Sequence, residues 1–230
     1  MEKSPPPLPS TPSFAALSPP GPIDIGRCFN DALEVFKKNA LILILAAVLF
    51  LFLSLFTLFI LSGPLSGGIY LMCLSALTSP DKKVDIGLMF GTFSRFSSQL
   101  GLFFLTLVPI LIGLMLFIAP GVLLMTMWMF AFPLMIDKGK GITESLGASW
   151  QIVLRRGLGW NLLLAAIVFV LGIIPTFVPY IGWILSFVLD PITWLVVTSA
   201  YIQQVRERES DLADILSPRG FPVQSASGMA

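Results

Sequence analysis

Asp190 is the residue whose type and place most invite chemistry. It is the only charged side chain between Gly157 and Val205, and a carboxylate at the centre of a bilayer costs about 3 kcal/mol unless it is paired or hydrated. Pro191 follows it. A proline inside a helix removes one backbone donor, which leaves the carbonyl of Phe187 free. Asn161 adds a side-chain amide in the same apolar stretch, so Asp190, Pro191 and Asn161 form a candidate intramembrane polar site. Two readings of Asp190 stay open. It handles a proton or solute, or it is a structural group that is protonated or caps the helix beyond Pro191. No second intramembrane charge stands ready to pair with it, which favours the structural reading.

Other chemistry is scarce. The chain has no histidine, which excludes Ser-His-Asp and Cys-His nucleophilic sites and histidine-bound metals. Cys28 and Cys73 lack metal-ligand spacing and read as small buried hydrophobes. No catalytic residue, metal site or cofactor is expected. With a net charge of +1 and a pI near 7.7, there is no basic stripe for phosphate backbones, and no nucleic-acid partner is expected.

The elements that must position these residues follow from where charge is absent. Hydrophobic residues make up 56% of the 230 and charged ones 12%, with a mean hydropathy of +0.89, against roughly 25% charged in a soluble domain. Asn39–Pro80, Phe96–Ile136 and Gly157–Val205 are almost free of charge, and each is long enough for two crossings at about 20 residues per span. Turn residues divide them at Gly63-Pro64, Pro120-Gly121 and Pro179–Gly182. The expectation is an all-α polytopic transmembrane bundle of about six spans, at Leu41–Ser62, Leu65–Thr78, Leu100–Ala119, Val122–Ile136, Leu158–Val178 and Ile181–Gln203. All 14 Lys and Arg residues fall outside the three hairpin turns, so both termini are expected in the cytoplasm.

Three similar units of about 60 residues are expected, at 23–83, 84–140 and 141–204. They open on Ile23-Asp24-Ile25-Gly26, Val84-Asp85-Ile86-Gly87 and Ile142-Thr143-Glu144, where Asp or Thr can cap a helix start. An amphipathic interfacial helix then leads into each hairpin, so the three repeats are parallel. Residues 1–22 are proline-rich and expected to be disordered, as is most of the tail 205–230 after a charged, helix-compatible run at Arg206–Leu216. Trp160, Tyr180, Trp183 and Tyr201 are placed at headgroup level, and Gly67-Gly68 at a close helix contact.

The run Pro120-Gly121, Trp128-Met129-Phe130-Ala131-Phe132-Pro133-Leu134, Asp137-Lys138-Gly139 and the helix Ser145–Ser149 resembles a group of bacterial six-span integral membrane proteins. It is similar to the membrane domain attached to some glycerophosphoryl diester phosphodiesterases. The likeness covers residues 23–204, and the hydrolase barrel with its histidine and acidic metal ligands is missing. It implies a multi-pass protein of the bacterial cytoplasmic (inner) membrane from which no catalytic residue carries over. The expected role is a non-enzymatic module that organises membrane lipids or partner membrane proteins. The alternative is a small transporter or permease using Asp190.

Overall fold

The computed structural model describes residues 23–79, 83–178 and 181–216. Among them every regular element is helical. Asp24 caps α1 (Ile25–Phe56) by accepting from the Arg27 N–H at 2.9 Å, as its place in the sequence requires. The interfacial helix and first span are fused in α1, which kinks at Asn39 (φ −126°, ψ 21°). There the Asn39 side-chain amide donates to the Val35 carbonyl at 3.2 Å, and a side chain inserted into the helical ladder bends it.

The first turn falls at Thr57–Leu61 rather than at Gly63-Pro64. Leu58 and Phe59 hold left-handed backbone (φ 50° and 65°), while Thr57 Oγ1 donates to Leu53 O and accepts from Leu61 N–H. Gly63 and Pro64 lie inside the first turn of α2 (Ser62–Thr78), where a missing N–H costs nothing. Pro120 has the same place in α4 (Ile118–Trp128), and the turn before it is Phe117 in extended conformation.

Five segments are long and apolar enough to cross a membrane: Ile25–Phe56, Ile86–Leu116, Ile118–Lys138, Leu158–Phe177 and Gly182–Arg206. The expected second span is the exception. At 17 residues, α2 is about 25 Å long at 1.5 Å per residue, short of the roughly 30 Å hydrocarbon core. In a set of parallel hairpins its last turn would meet the start of α3 (Phe96–Leu116). Instead its first half does: a methyl on Gly63 would stand 2.8 Å from the Gln99 carbonyl. Gln99 lies one turn beyond Arg95, whose guanidinium sits against Gly139. At the other end, Leu77 and Thr78 share a cavity with Glu34, Lys38 and Gln203. Both ends of α2 thus have neighbours close to charged segments of the chain.

The second expected interfacial helix is replaced by two 3-10 turns, Ile86–Met89 and Phe93–Arg95. Asp85 does cap the first, at 2.8 Å from Gly87 N–H, but Thr92 then donates to the Pro64 carbonyl of α2 and the segment follows α2 rather than an α-helical path. The fourth span divides into α4 and α5 (Ala131–Lys138). Ser149 enters the break, accepting from Phe130 N–H and donating to Met127 O. Its own helix, α6 (Ile142–Arg156), is amphipathic as expected but starts at Gly141, whose N–H donates to Glu144, and not at Thr143.

Next come α7 (Leu158–Ile173), a 3-10 turn through Pro175, and α8 (Gly182–Tyr201). The second half of α8 is buried against α1, α2 and α7. Cys28 and Cys73 are buried and free. The outer surface is apolar, with Leu41, Phe56, Met115 and Phe117 strongly exposed, a belt far larger than monomeric soluble proteins present to water. Trp160 and Trp183 are exposed on it. Tyr201 departs from the headgroup expectation because it is wholly buried, with its hydroxyl on Asp137 at 2.7 Å; Tyr180 lies outside the described residues.

Candidate functional site

Asp190 is half-buried on α8, which passes through Pro191 without interruption. The idea that Asp190 caps a second half-helix is therefore corrected. Thr193 Oγ1 donates to the Asp190 carbonyl at 2.7 Å and supports the backbone where proline weakens it. The Asp190 carboxylate has no hydrogen-bond or ion-pair partner among the described residues. Asn161 is elsewhere. It is buried in the first turn of α7, donating to Gly157 O at 3.0 Å and accepting from Gln204 Nε2 at 2.8 Å. Gln204 is 14 positions beyond Asp190, or roughly 20 Å along the helix. The structure keeps Asp190 with Pro191 and assigns Asn161 to the charged end.

What α8 does place next to Asp190 is a cavity of about 280 Å³ between α2, α3, α4, α5, α7 and α8. Tyr70, Trp128, Phe132 and Trp194 supply its aromatic walls, and Thr106, Met125 and Thr193 fill between them. A second space of about 200 Å³ shares Tyr70, Thr106, Phe132 and Trp194. The rings are fixed by their neighbours: Tyr70 stacks on Phe132 with centroids 6.0 Å apart, and Phe50 meets Trp194 edge-on at 5.6 Å. Thr106 and Thr193 spend their hydroxyls on the backbone carbonyls of Leu102 and Asp190, so the walls present methyls and ring faces. Asp190, Thr193, Trp194 and Val197 follow i, i+3, i+4, i+7 spacing and share one helix stripe. The carboxylate thus lies one turn along α8 from the cavity. Trp128 and Phe132 entered only within the run that carries the resemblance, and Tyr70 and Trp194 were not singled out from sequence. Their signal is their depth, since rings away from the span ends have no headgroup role.

The charged end holds a second assembly that the sequence concealed. Beyond α8 the chain makes a π-turn at Ile202–Arg206, a 3-10 turn at Glu209–Leu212 and the short α9 (Ala213–Leu216). These turns fall on the helix-compatible run Arg206–Leu216, with Val205, Leu212 and Ile215 buried, and the part of the tail expected to be disordered, 217–230, lies outside the described residues. Their charges pair with three separate parts of the chain, the start of α1 and the ends of α5 and α6. Arg206 binds Asp137, Glu207 binds Arg27 at 3.0 Å, Glu209 binds Lys138 at 2.6 Å and Asp211 binds Arg156 at 3.3 Å. Arg155 holds Asp214 bidentately at 2.8 and 2.7 Å.

The hydrogen-bonded guanidinium of Arg155 holds the Asp214 carboxyl below its usual range. A carboxyl with a folded pKa below its unfolded one adds stability above the unfolded value, and that stability disappears as pH falls through the folded one. Both side chains are exposed, so the pair is weak and screened by salt. Acidification below the ordinary carboxylate range is expected to loosen Ala213–Leu216 first, seen as reduced hydrogen-exchange protection there. Asp214→Asn should show the reduced protection already at neutral pH; equal protection of wild type and variant at both pH values would refute the assignment.

Among the described residues no group of three or more His, Cys, Asp or Glu side chains is placed to hold a metal ion. No protein-family model matches the chain, and no curated protein or solved structure matches it.

Proposed function

We propose that this chain is a non-enzymatic, multi-pass protein of a bacterial cytoplasmic membrane that organises lipid, with its charged end and both termini in the cytoplasm. The reading rests on the aromatic cavity. Its size is just below the roughly 300–1,000 Å³ usual for small-molecule sites, and its threonines are already committed to backbone. Methylene groups of an acyl chain suit such walls, because ring faces and methyls give dispersion contacts and leave no polar group unsatisfied. The cytoplasmic placement rests on the gathering of lysines and arginines at one end. Partner membrane proteins remain compatible with the same apolar belt.

The chain purified in mild detergent is expected to retain phospholipid detectable by native mass spectrometry. Val168→Phe, which adds a ring to the cavity wall, should lower that retention several-fold. Equal retention by wild type and Val168→Phe would refute the reading. The second reading, transport, is favoured by the position of Asp190 on the cavity's helix stripe. Asp190→Asn separates the two: lipid retention and folding are expected to be unchanged by it, whereas loss of a measurable solute flux in proteoliposomes would support transport.

A further inference from the structure

The start of α1, the end of α6 and the segment after α8 enclose a cavity of about 130 Å³ at the charged end, well apart from the aromatic one. Arg27, Arg156 and Arg208 line it, with Gln204 and the carboxylates of Asp24 and Glu207. The two acids are already committed. Asp24 accepts from the Arg27 backbone N–H, and Glu207 takes both terminal nitrogens of the Arg27 guanidinium. What they leave over is specific. The Arg156 side chain is only 6% exposed. Its terminal nitrogens donate to Asp211 and to the Arg208 carbonyl at 3.3 and 3.2 Å, but its buried Nε has no partner. Gln204 donates to Asn161, yet its Oε1 is buried and unpartnered. The Arg208 guanidinium makes no hydrogen bond or ion pair among the described residues.

Buried polar atoms are nearly always satisfied, so the open valences describe a ligand. It must accept from guanidinium groups, carry negative charge to answer Arg208, since Arg27 and Arg156 are already paired with Glu207 and Asp211, and donate one hydrogen bond to Gln204. A tetrahedral phosphate meets all three needs: its oxygens accept from arginine in the geometry guanidinium favours, and its remaining hydroxyl donates. We propose that this cavity binds a phosphate group bearing one P–OH, either inorganic phosphate or the phosphomonoester headgroup of an anionic lipid. The second source is within reach because the cavity adjoins the end of α8, at the edge of the apolar part of the bundle. The site stands on its own residues and does not depend on the lipid reading of the aromatic cavity.

The test is thermal unfolding of the full chain in two arms. In detergent, inorganic phosphate is titrated against chloride at constant ionic strength. In chloride buffer, phosphatidylcholine nanodiscs are compared with and without phosphatidic acid. A ligand of the folded state raises the melting temperature. Wild type is expected to respond in at least one arm, and Arg208→Gln is expected to need about tenfold more ligand for the same shift, as loss of a charge-assisted hydrogen bond implies. The ligand-induced shift is the readout, so a changed baseline for the variant does not obscure it. A response to phosphate in detergent assigns a free anion; one confined to phosphatidic acid assigns a lipid headgroup. No response of wild type in either arm, or equal responses of wild type and Arg208→Gln, overturns the site.

Discussion

Gly68→Ala is expected to destabilise the protein by about 3 kcal/mol, at the upper end of what overpacking costs. A Cβ at Gly68 would stand 1.8 Å from the Met89 carbonyl oxygen and 2.5 Å from its carbon. Those are backbone atoms, so no rotamer change relieves the clash. Relief requires α2 to separate from the 3-10 turn at Ile86–Met89, and that movement strains the Thr92 to Pro64 hydrogen bond. Gly147→Ala is the control. It lies inside α6 with nothing within 4 Å of the added methyl, so the substitution should stabilise by roughly 0.5–1 kcal/mol through helix propensity alone. Melting temperatures in one detergent, read beside size-exclusion profiles, should move in opposite directions for the two variants. A Gly68→Ala protein that melts with wild type would mean that α2 does not approach Met89 as described.

The same contact shows what was legible in the chain. Gly67-Gly68 marks a close approach because small residues at a helix contact have few other uses, and apolar length marks the long helices because a bilayer sets it. The caps at Asp24 and Asp85 were readable from local chemistry. Neither propensity nor length reveals where α2 docks, since its composition is that of a span. Its position is set by backbone contacts of Gly63 and Gly68 with Gln99 and Met89, far along the chain. Proline signalled helix starts correctly, but Pro64 and Pro120 occupy first-turn positions, and the turns themselves fell a few residues earlier. The aromatic cavity was invisible because Tyr70, Phe132 and Trp194 are ordinary apolar residues until three helices bring them together. The ion pairs of the tail were hidden for a related reason: Arg206, Glu207, Glu209, Asp211 and Asp214 read as a charged, helix-compatible run, and their partners at Asp137, Arg27, Lys138, Arg156 and Arg155 lie far along the chain.

Asp137→Asn is expected to release that tail and cost about 3 kcal/mol. Asp137 ends α5 with its side chain only 8% exposed. It accepts from Arg206 through Nε, at 3.2 Å to each oxygen, and through Nη2, and from the Tyr201 hydroxyl at 2.7 Å. Lys138 Nζ stands 3.7 Å away and is held by Glu209. Breaking a buried ion pair from one side costs about 3–5 kcal/mol, because the surviving charge stays desolvated. Arg206 is 34% exposed and regains some hydration, which places the loss at the lower end of that range. An asparagine also turns two donors toward groups that are themselves donors. Tyr201→Phe removes a single hydrogen bond and should cost only about 1 kcal/mol. The double variant should fall short of the sum, since both side chains act through one carboxylate. Hydrogen exchange localises the effect: protection should fall across residues 202–216 in Asp137→Asn while α3 and α7 keep theirs. Unchanged protection in that segment would show that the tail is held by Arg27, Arg155 and Arg156 without Asp137.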